Sequence, residues 1–278
     1  MFESGLLRGK RVLITGGGSG LGRSMGRRFA ELGASLTICG RRPDALEQTA
    51  GELRAEFGAT VATQVCDIRQ PDAVDAMFAA IDAAGGIDVL INNAAATFVA
   101  QTEHLSPRAV DAVLGVTLHG AIYCTLAAGK RWIAQRRPGT VLSILSTSTI
   151  TGRAFTVPSS IAKTGLLAMT RSLAVEWGGK GIRLVAIAPG PFPTPGADGN
   201  LRPDAGPERE PAGRRNPAGR VGRHIELANL ASYLISDGAA YINGEMVSID
   251  GGAHLRTSGV EDVVAWTDEQ WAQLRPKR

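Results

Sequence analysis

Cysteine is scarce: the 278 residues contain three, Cys39, Cys66 and Cys124. Each lies in an apolar run without a CxxC or Cys/His spacing, which leaves no basis for a disulfide framework or a zinc site. They read as small core residues, and no metal is expected. The apolar stretches fall far short of the ~20 residues that span a bilayer, so no membrane is expected as a partner. The first ten residues, MFESGLLRGK, show neither a cationic start with an apolar stretch nor an Arg- and Ser-rich amphipathic leader. A cytoplasmic location is the expectation. Charge of one sign is also lacking: 30 Lys and Arg against 26 Asp and Glu leave a formal charge of +4, too small an excess to imply nucleic acid. Among the cations, arginine far outnumbers lysine. Guanidinium forks suit phosphate-bearing ligands, although a solvated basic surface accounts equally well for any single arginine.

Short β-branched apolar runs alternate with longer amphipathic ones. Residues Arg11–Thr15, Ser35–Cys39, Thr60–Val65, Asp88–Ile91, Thr140–Ile144, Ile182–Ile187 and Met246–Ile249 read as strands. Gly22–Leu32, Asp44–Phe57, Asp72–Ala83, Pro107–Gln135 and Pro158–Trp177 read as helices. Strands apolar throughout are what a parallel sheet covered on both faces requires. The expected fold is α/β: one Rossmann-type doubly wound parallel sheet of about seven strands, in a single domain over 1–278, with ligands at the carboxyl ends of the strands. One stretch breaks the rhythm. Residues 189–223 are rich in Pro, Gly and Arg and cannot form a regular element. Because they follow directly on a strand's carboxyl end, they read as a lid over the substrate.

The first strand runs into Thr15-Gly16-Gly17-Gly18-Ser19-Gly20-Leu21-Gly22 and then a helix. Glycines 16, 20 and 22 permit a tight turn, close approach of the backbone to a pyrophosphate and close helix–strand contact, while the helix N-terminus offers free N–H groups. Gly18, Ser19 and Leu21 belong to the same cradle. A glycine trio alone is weak; its place at the first strand–helix junction strengthens it. The second strand ends in Cys39-Gly40-Arg41-Arg42. A carboxylate there would accept hydrogen bonds from ribose hydroxyls and repel a 2′-phosphate. Instead Arg41 and Arg42 stand ready for that phosphate, so the expected cofactor is NADP(H).

Further motifs follow in order: Asp67 and Ile68 after the third strand, Asn92-Asn93-Ala94-Ala95 after the fourth, Lys163, Pro189-Gly190 with Thr194 after the sixth, and Asp250-Gly251-Gly252 after the seventh. With the glycine turn they resemble the short-chain dehydrogenase/reductase pattern over nearly the whole chain. The resemblance implies that Asp67 and Ile68 hold the adenine, that Asn93, Ala94 and Ala95 line the nicotinamide ribose region, and that Lys163 binds ribose hydroxyls. Pro189, Gly190 and Thr194 would meet the nicotinamide amide and the phosphates.

The departure lies at the proton donor. Most members of that family place a tyrosine four residues before the lysine; here the residue is Ser159. Ser146 fills the place of the substrate-orienting serine, and Thr117 that of the relay asparagine. A phenol, with a reference pKa of about 10, can be lowered by a neighbouring ammonium into a useful range. An aliphatic hydroxyl can offer a hydrogen bond but is a poor acid. Carbonyl reduction, which must protonate an alkoxide, is therefore disfavoured. Reduction of a conjugated thioester needs only a stabilised oxyanion, because water can protonate the enolate.

The branch in which serine replaces the tyrosine is the 2,4-dienoyl-CoA reductases, and the chain is similar to it in Thr102–Pro107, Val157–Ser159, Ala174–Gly178, Glu226–Leu230, Ile242–Gly244 and the tail Trp266–Trp271. That likeness implies an acyl-CoA or other conjugated carbonyl substrate. Arg69, Phe98 and Ser106 would touch it, and Arg202 of the lid would lie near its phosphates. The branch's mitochondrial-type tyrosine, fifteen residues before the lysine, is here Ser148, and its substrate-binding asparagine is Thr97. Catalysis would then rest on Lys163, Ser146, Ser148 and Ser159, in a homotetramer of the family's kind. His119, His104, His224 and Tyr123 read as packing, loop or cap residues. Two other functions stay open: a ketone or secondary-alcohol oxidoreductase with a relay rebuilt around Ser146, Ser159 and Lys163, and an NADP(H)-binding protein with little catalysis.

Overall fold

A computed structural model describes residues 2–194, 196, 216–256 and 266–274. Seven strands form one parallel sheet: β1 Arg11–Thr15, β2 Ser35–Gly40, β3 Val61–Val65, β4 Val89–Asn92, β5 Gly139–Ile144, β6 Ile182–Pro189 and β7 Met246–Ile249. Their order is β3-β2-β1-β4-β5-β6-β7, and every neighbouring pair is parallel. All seven expected strands are present, with ends shifted by a residue or two.

The strands alternate in the face they present. Val12, Ile14, Val89, Ile91, Leu142, Ile144, Val185 and Ile187 pack beneath α1 (Gly20–Glu31), α2 (Pro43–Phe57) and α8 (His224–Ile235). Leu13, Leu90, Val141 and Leu184 pack on the other face, beneath α3 (Pro71–Ala83), α5 (Gly120–Ala134) and α7 (Val157–Gly178). Both faces are covered, which is why these strands carry no polar alternation. Helix α8 is absent from the sequence reading, because it follows the Pro- and Gly-rich stretch and its apolar positions merge into the preceding irregular chain.

The expected single helix Pro107–Gln135 is instead interrupted. Helix α4 (Pro107–Leu114) leads into a π turn over Gly115–His119, where the Gly120 N–H bonds the Gly115 carbonyl, before α5 resumes. The rod Pro107–Ala134 is also longer and more apolar than the sequence reading credited: by length and composition alone it would pass for a membrane span. Half of its most apolar window is buried inside the protein, where Cys124, Ala127, Ala128 and Trp132 pack against the sheet. One short helix, α6 (Ser148–Thr151), precedes α7, and α9 (Asp268–Leu274) lies in the tail.

The chain winds outward from β1 to β3, then returns to place β4 on the other side of β1. Connections beyond β1 and β4 thus diverge and open a crevice at the carboxyl ends of these strands, where ligands of open α/β sheets bind.

Candidate active site

The crevice is a cavity of about 1,470 Å³ at the carboxyl ends of β1 to β6. At β1 the chain turns through Gly16 in a left-handed conformation (φ +67°). A Cβ at Gly22 would lie 2.4 Å from the Gly16 carbonyl oxygen and 2.6 Å from Asn93 Nδ2, so only glycine lets α1 approach the turn this closely. The Asn93 amide holds the turn from the other side, donating to the carbonyls of Thr15 at 2.9 Å and Gly16 at 3.3 Å. Ser19 caps α1 without a side-chain hydrogen bond, and no acidic residue occupies the first turn. The amide groups at this helix end are left for an anion, so the cradle fits a dinucleotide pyrophosphate.

Of the residues expected to bind cofactor, Gly16, Gly18, Ser19, Leu21, Arg41, Arg42, Asp67, Ile68, Asn93, Ala94, Ala95, Lys163, Pro189, Gly190 and Thr194 line the cavity. Gly20 and Gly22 do not. Gly20 lies just under the wall, its Cβ position 3.5 Å from Thr194 Cγ2, and Gly22 is buried against the turn as described. Asp67 pairs with Arg69, whose Nε donates to Oδ1 at 2.9 Å; that bond and the guanidinium charge hold the Asp67 carboxyl below its usual range.

Lys163 is buried on α7 and donates from Nζ to the Ile144 carbonyl at the end of β5. Burial pushes its ammonium down to about 8. Around it the cavity wall carries Ser146, Ser148, Ser159 and Thr97. The Ser148 amide donates to Ser146 Oγ at 3.3 Å and starts α6. Thr117 is withdrawn from the site. Fully buried in the π turn, its Oγ1 accepts from the Ala96 amide at 2.9 Å and donates to the Ala96 carbonyl at 3.2 Å. Among the described lining residues there is no tyrosine and no histidine, and the one carboxylate is the paired Asp67. Tyr123 and His119 face each other at 6.3 Å between ring centroids, outside the cavity wall.

The expected substrate residues divide. Thr97 lines the cavity, whereas Arg69, Phe98 and Ser106 do not. Arg69 is folded onto Asp67, and Ser106 caps α4 by accepting from the Ala109 amide at 3.2 Å. Arg202 and most of the 189–223 stretch lie outside the described residues. Two further residues, Asn216 and Arg153, went unread in the sequence, and His224 was read only as a loop or cap residue. Asn216 is buried and donates to the Asp250 carbonyl at 2.7 Å. His224 joins Ser24 Oγ of α1 (2.8 Å) to the Pro193 carbonyl beside Thr194 (2.7 Å), so it braces two walls of the crevice rather than merely capping α8. Arg153 lines the cavity itself.

Residues 16–254 match the family model described as enoyl-(acyl carrier protein) reductase. The chain belongs to the short-chain dehydrogenase/reductase family. It is 42% identical over 252 residues to a Bacillus subtilis protein named a probable 2,4-dienoyl-CoA reductase, (2E)-enoyl-CoA-producing, covering 88% of this chain and 97% of that one. A Caenorhabditis elegans protein named probable 2,4-dienoyl-CoA reductase 3, (3E)-enoyl-CoA-producing, is 38% identical over 280 residues, covering 99% and 91%. A crystal structure of a short chain dehydrogenase from Bacillus anthracis superposes with a TM-score of 0.80 at 40% identity, covering 90% of this chain and 98% of that one. As a member of this family the chain is an oxidoreductase that uses a nicotinamide cofactor.

Proposed function

We propose that the chain is an NADPH-dependent reductase of a conjugated C=C bond in an acyl-CoA-like substrate, of the 2,4-dienoyl-CoA reductase kind. One observation carries this reading: the described wall around Lys163 offers aliphatic hydroxyls and a buried ammonium, but neither a phenol nor an unpaired carboxylate. The similarity to the two reductases points the same way.

The bound nicotinamide supplies a hydride. The residues of this chain then need to do two things. They must hold the thioester carbonyl where negative charge gathers, and they must leave the carbanion end open to water. Ser146, Ser148 and Ser159 can donate hydrogen bonds to the carbonyl oxygen, and the Lys163 ammonium, fixed by the Ile144 carbonyl, places a positive charge beside them. In a desolvated site such donors stabilise a developing oxyanion far more than they would in water. When hydride adds to the terminal carbon of a diene thioester, its electron pair moves through the conjugated chain to that oxygen. A water proton then completes the enoyl product, and no strong protein acid is required.

Arg41 and Arg42 at the end of β2 support NADP(H) over NAD(H), since they face the cavity and carry no ion pair among the described residues. The apolar side chains left exposed on α5 and α7, Leu126, Ile161 and Val175, support burial of these helices between subunits of a homotetramer. The described start of the 189–223 stretch, from Pro189 to Thr194 with Gly196, lines the cavity, which supports its reading as a lid.

The test is stopped-flow oxidation of NADPH with a 2,4-dienoyl-CoA, beside a panel of simple ketones. Turnover of the dienoyl thioester with little or none on ketones is expected. Ketone reduction without thioester turnover would replace this reading with carbonyl chemistry.

A further inference from the structure

Three described arginines line the cavity, and they stand at opposite ends. Arg41 and Arg42 follow β2, whereas Arg153 lies between α6 and α7, beyond β5. Strands β2 and β5 are separated by three strand spacings, about 14 Å, so Arg153 is on the side of Ser148 and Ser159 and away from the adenylate end. Most arginines near a carboxylate are paired with it: Arg11, Arg23, Arg27, Arg69, Arg131 and Arg220 all form ion pairs. Arg153 has neither an ion pair nor a side-chain hydrogen bond among the described residues. The one carboxylate in the described wall, Asp67, follows β3, four strand spacings from β5, or about 19 Å, and is already held by Arg69.

The segment that carries Arg153 is built to hold it in place. Gly152 (φ +67°) and Phe155 (φ +62°) both have a positive φ, which a bulky residue such as phenylalanine adopts only under constraint. The Gly152 amide is fixed to the Ser148 carbonyl at 3.0 Å, and the Phe155 carbonyl accepts from the Ala100 amide at 3.0 Å, tying the segment to the loop after β4. Thr156 Oγ1 donates to the carbonyl of Arg153 itself at 3.4 Å. A guanidinium without a partner among the described residues is thus presented in the wall of the cavity that carries the hydroxyls of Ser146, Ser148 and Ser159.

We propose that Arg153 is a specificity-determining residue that binds an anionic group of the substrate. This rests on the reading of the cavity as an acyl-thioester site. Two parts of such a substrate carry the required oxyanion: a carboxylate on the acyl chain, and the phosphates of coenzyme A. A guanidinium fork pairs with either.

Four thioesters separate these sources: a neutral dienoyl-CoA, a dienoyl-CoA with a terminal carboxylate, and the N-acetylcysteamine thioesters of the same two acids, which lack phosphates. KM and kcat are measured for the wild type, Arg153→Ala and Arg153→Lys. A rise in KM of about tenfold in Arg153→Ala, partly restored in Arg153→Lys, is expected. Confined to the two carboxylate-bearing thioesters, it assigns the acyl carboxylate. Confined to the two CoA thioesters, it assigns the phosphates. Unchanged KM for all four, or an equal change for the neutral N-acetylcysteamine thioester, overturns the proposal, as does a change in KM for NADPH alone. If the wild type turns over no thioester, the reductase reading fails by itself; calorimetric binding of the same thioesters to the enzyme with NADP+ then decides. Weaker binding by Arg153→Ala sustains the role of Arg153, and equal or absent binding ends it.

Discussion

At the carboxyl ends of β1 and β4 the cavity presents mostly backbone: the turn at Gly16, Gly18 and Ser19, the start of α1 with no side-chain hydrogen bond from its cap, and the chain after Asn93. At the end of β5 and the start of α7 it presents side chains: the hydroxyls of Ser146, Ser148 and Ser159, the Lys163 ammonium and the Arg153 guanidinium. The first half recognises a ligand by how closely main chain can approach it, so its residues are constrained by size and φ. The second half acts through functional groups that can be exchanged without disturbing the sheet, and the proposed replacement of a tyrosine donor by Ser159 lies here. A fold can therefore hold its nucleotide site fixed while the chemistry next to it is rebuilt.

The sharpest way to break this contrast is at Lys163, where the two halves meet. Lys163→Ala removes the buried cation beside the hydroxyl cluster, and a loss in kcat of about a thousandfold is expected, read from steady-state NADPH oxidation with the fold checked by circular dichroism. A loss of only a few-fold would mean that the hydroxyls act without it. Next in size is an exchange in the nucleotide half alone. Replacing Gly40 with Asp and Arg41 with Leu puts a carboxylate in place of a phosphate partner, and the ratio of kcat/KM for NADPH over NADH should fall about a hundredfold. The kcat with saturating cofactor should stay near that of the wild type. An unaltered ratio would remove these residues from cofactor choice. The smallest effect is one of pH. Since burial brings the Lys163 ammonium down to about 8, the supporting charge is nearly complete a pH unit below that value, half lost at it and mostly lost a unit above. In the wild type, kcat should be level from about pH 6 to 7, be about halved near 8 and approach a fall of about tenfold per pH unit above about 9. A profile still level at pH 9.5 would detach the chemistry from this charge.

The same contrast explains what the sequence revealed. Strand β1 and the glycine turn were legible because local rules dictate them: an apolar run, then residues that alone permit the bend and the close packing of α1. Arg41 and Arg42 were legible from their place after β2, and the cavity does expose both. Lys163 and the serines were found through resemblance, and the structure brings them to one wall. The substrate residues fared less evenly. Arg69 and Ser106 have partners within a few residues, Asp67 and the Ala109 amide, and these local bonds take the groups assigned to substrate. The bracing contacts of His224, read only as a loop or cap residue, and the place of Arg153 were not legible, for a different reason. Ser24 and His224 are 200 positions apart, and no local pattern announces such a contact. An arginine in a loop looks like any solvated charge until the fold shows that no carboxylate among the described residues pairs with it.

The π turn at Gly115–His119 has a consequence for how such a site can be altered. A regular helix advances about 100° per residue, so one residue inserted into a helix swings everything beyond it by that angle unless a wider turn absorbs the excess. Here the wide turn lets Thr117 reach the main chain of Ala96 while Cys124, Ala127 and Trp132 still point into the core. Deleting a single residue between 115 and 119 would restore an even ladder, and the rod would have to give up one allegiance: its grip on the loop after β4, or its seat on the sheet. The loop forming one side of the substrate crevice is thereby geared to the register of a core helix, and a length change of one residue, with no change in chemistry, would be enough to re-aim it.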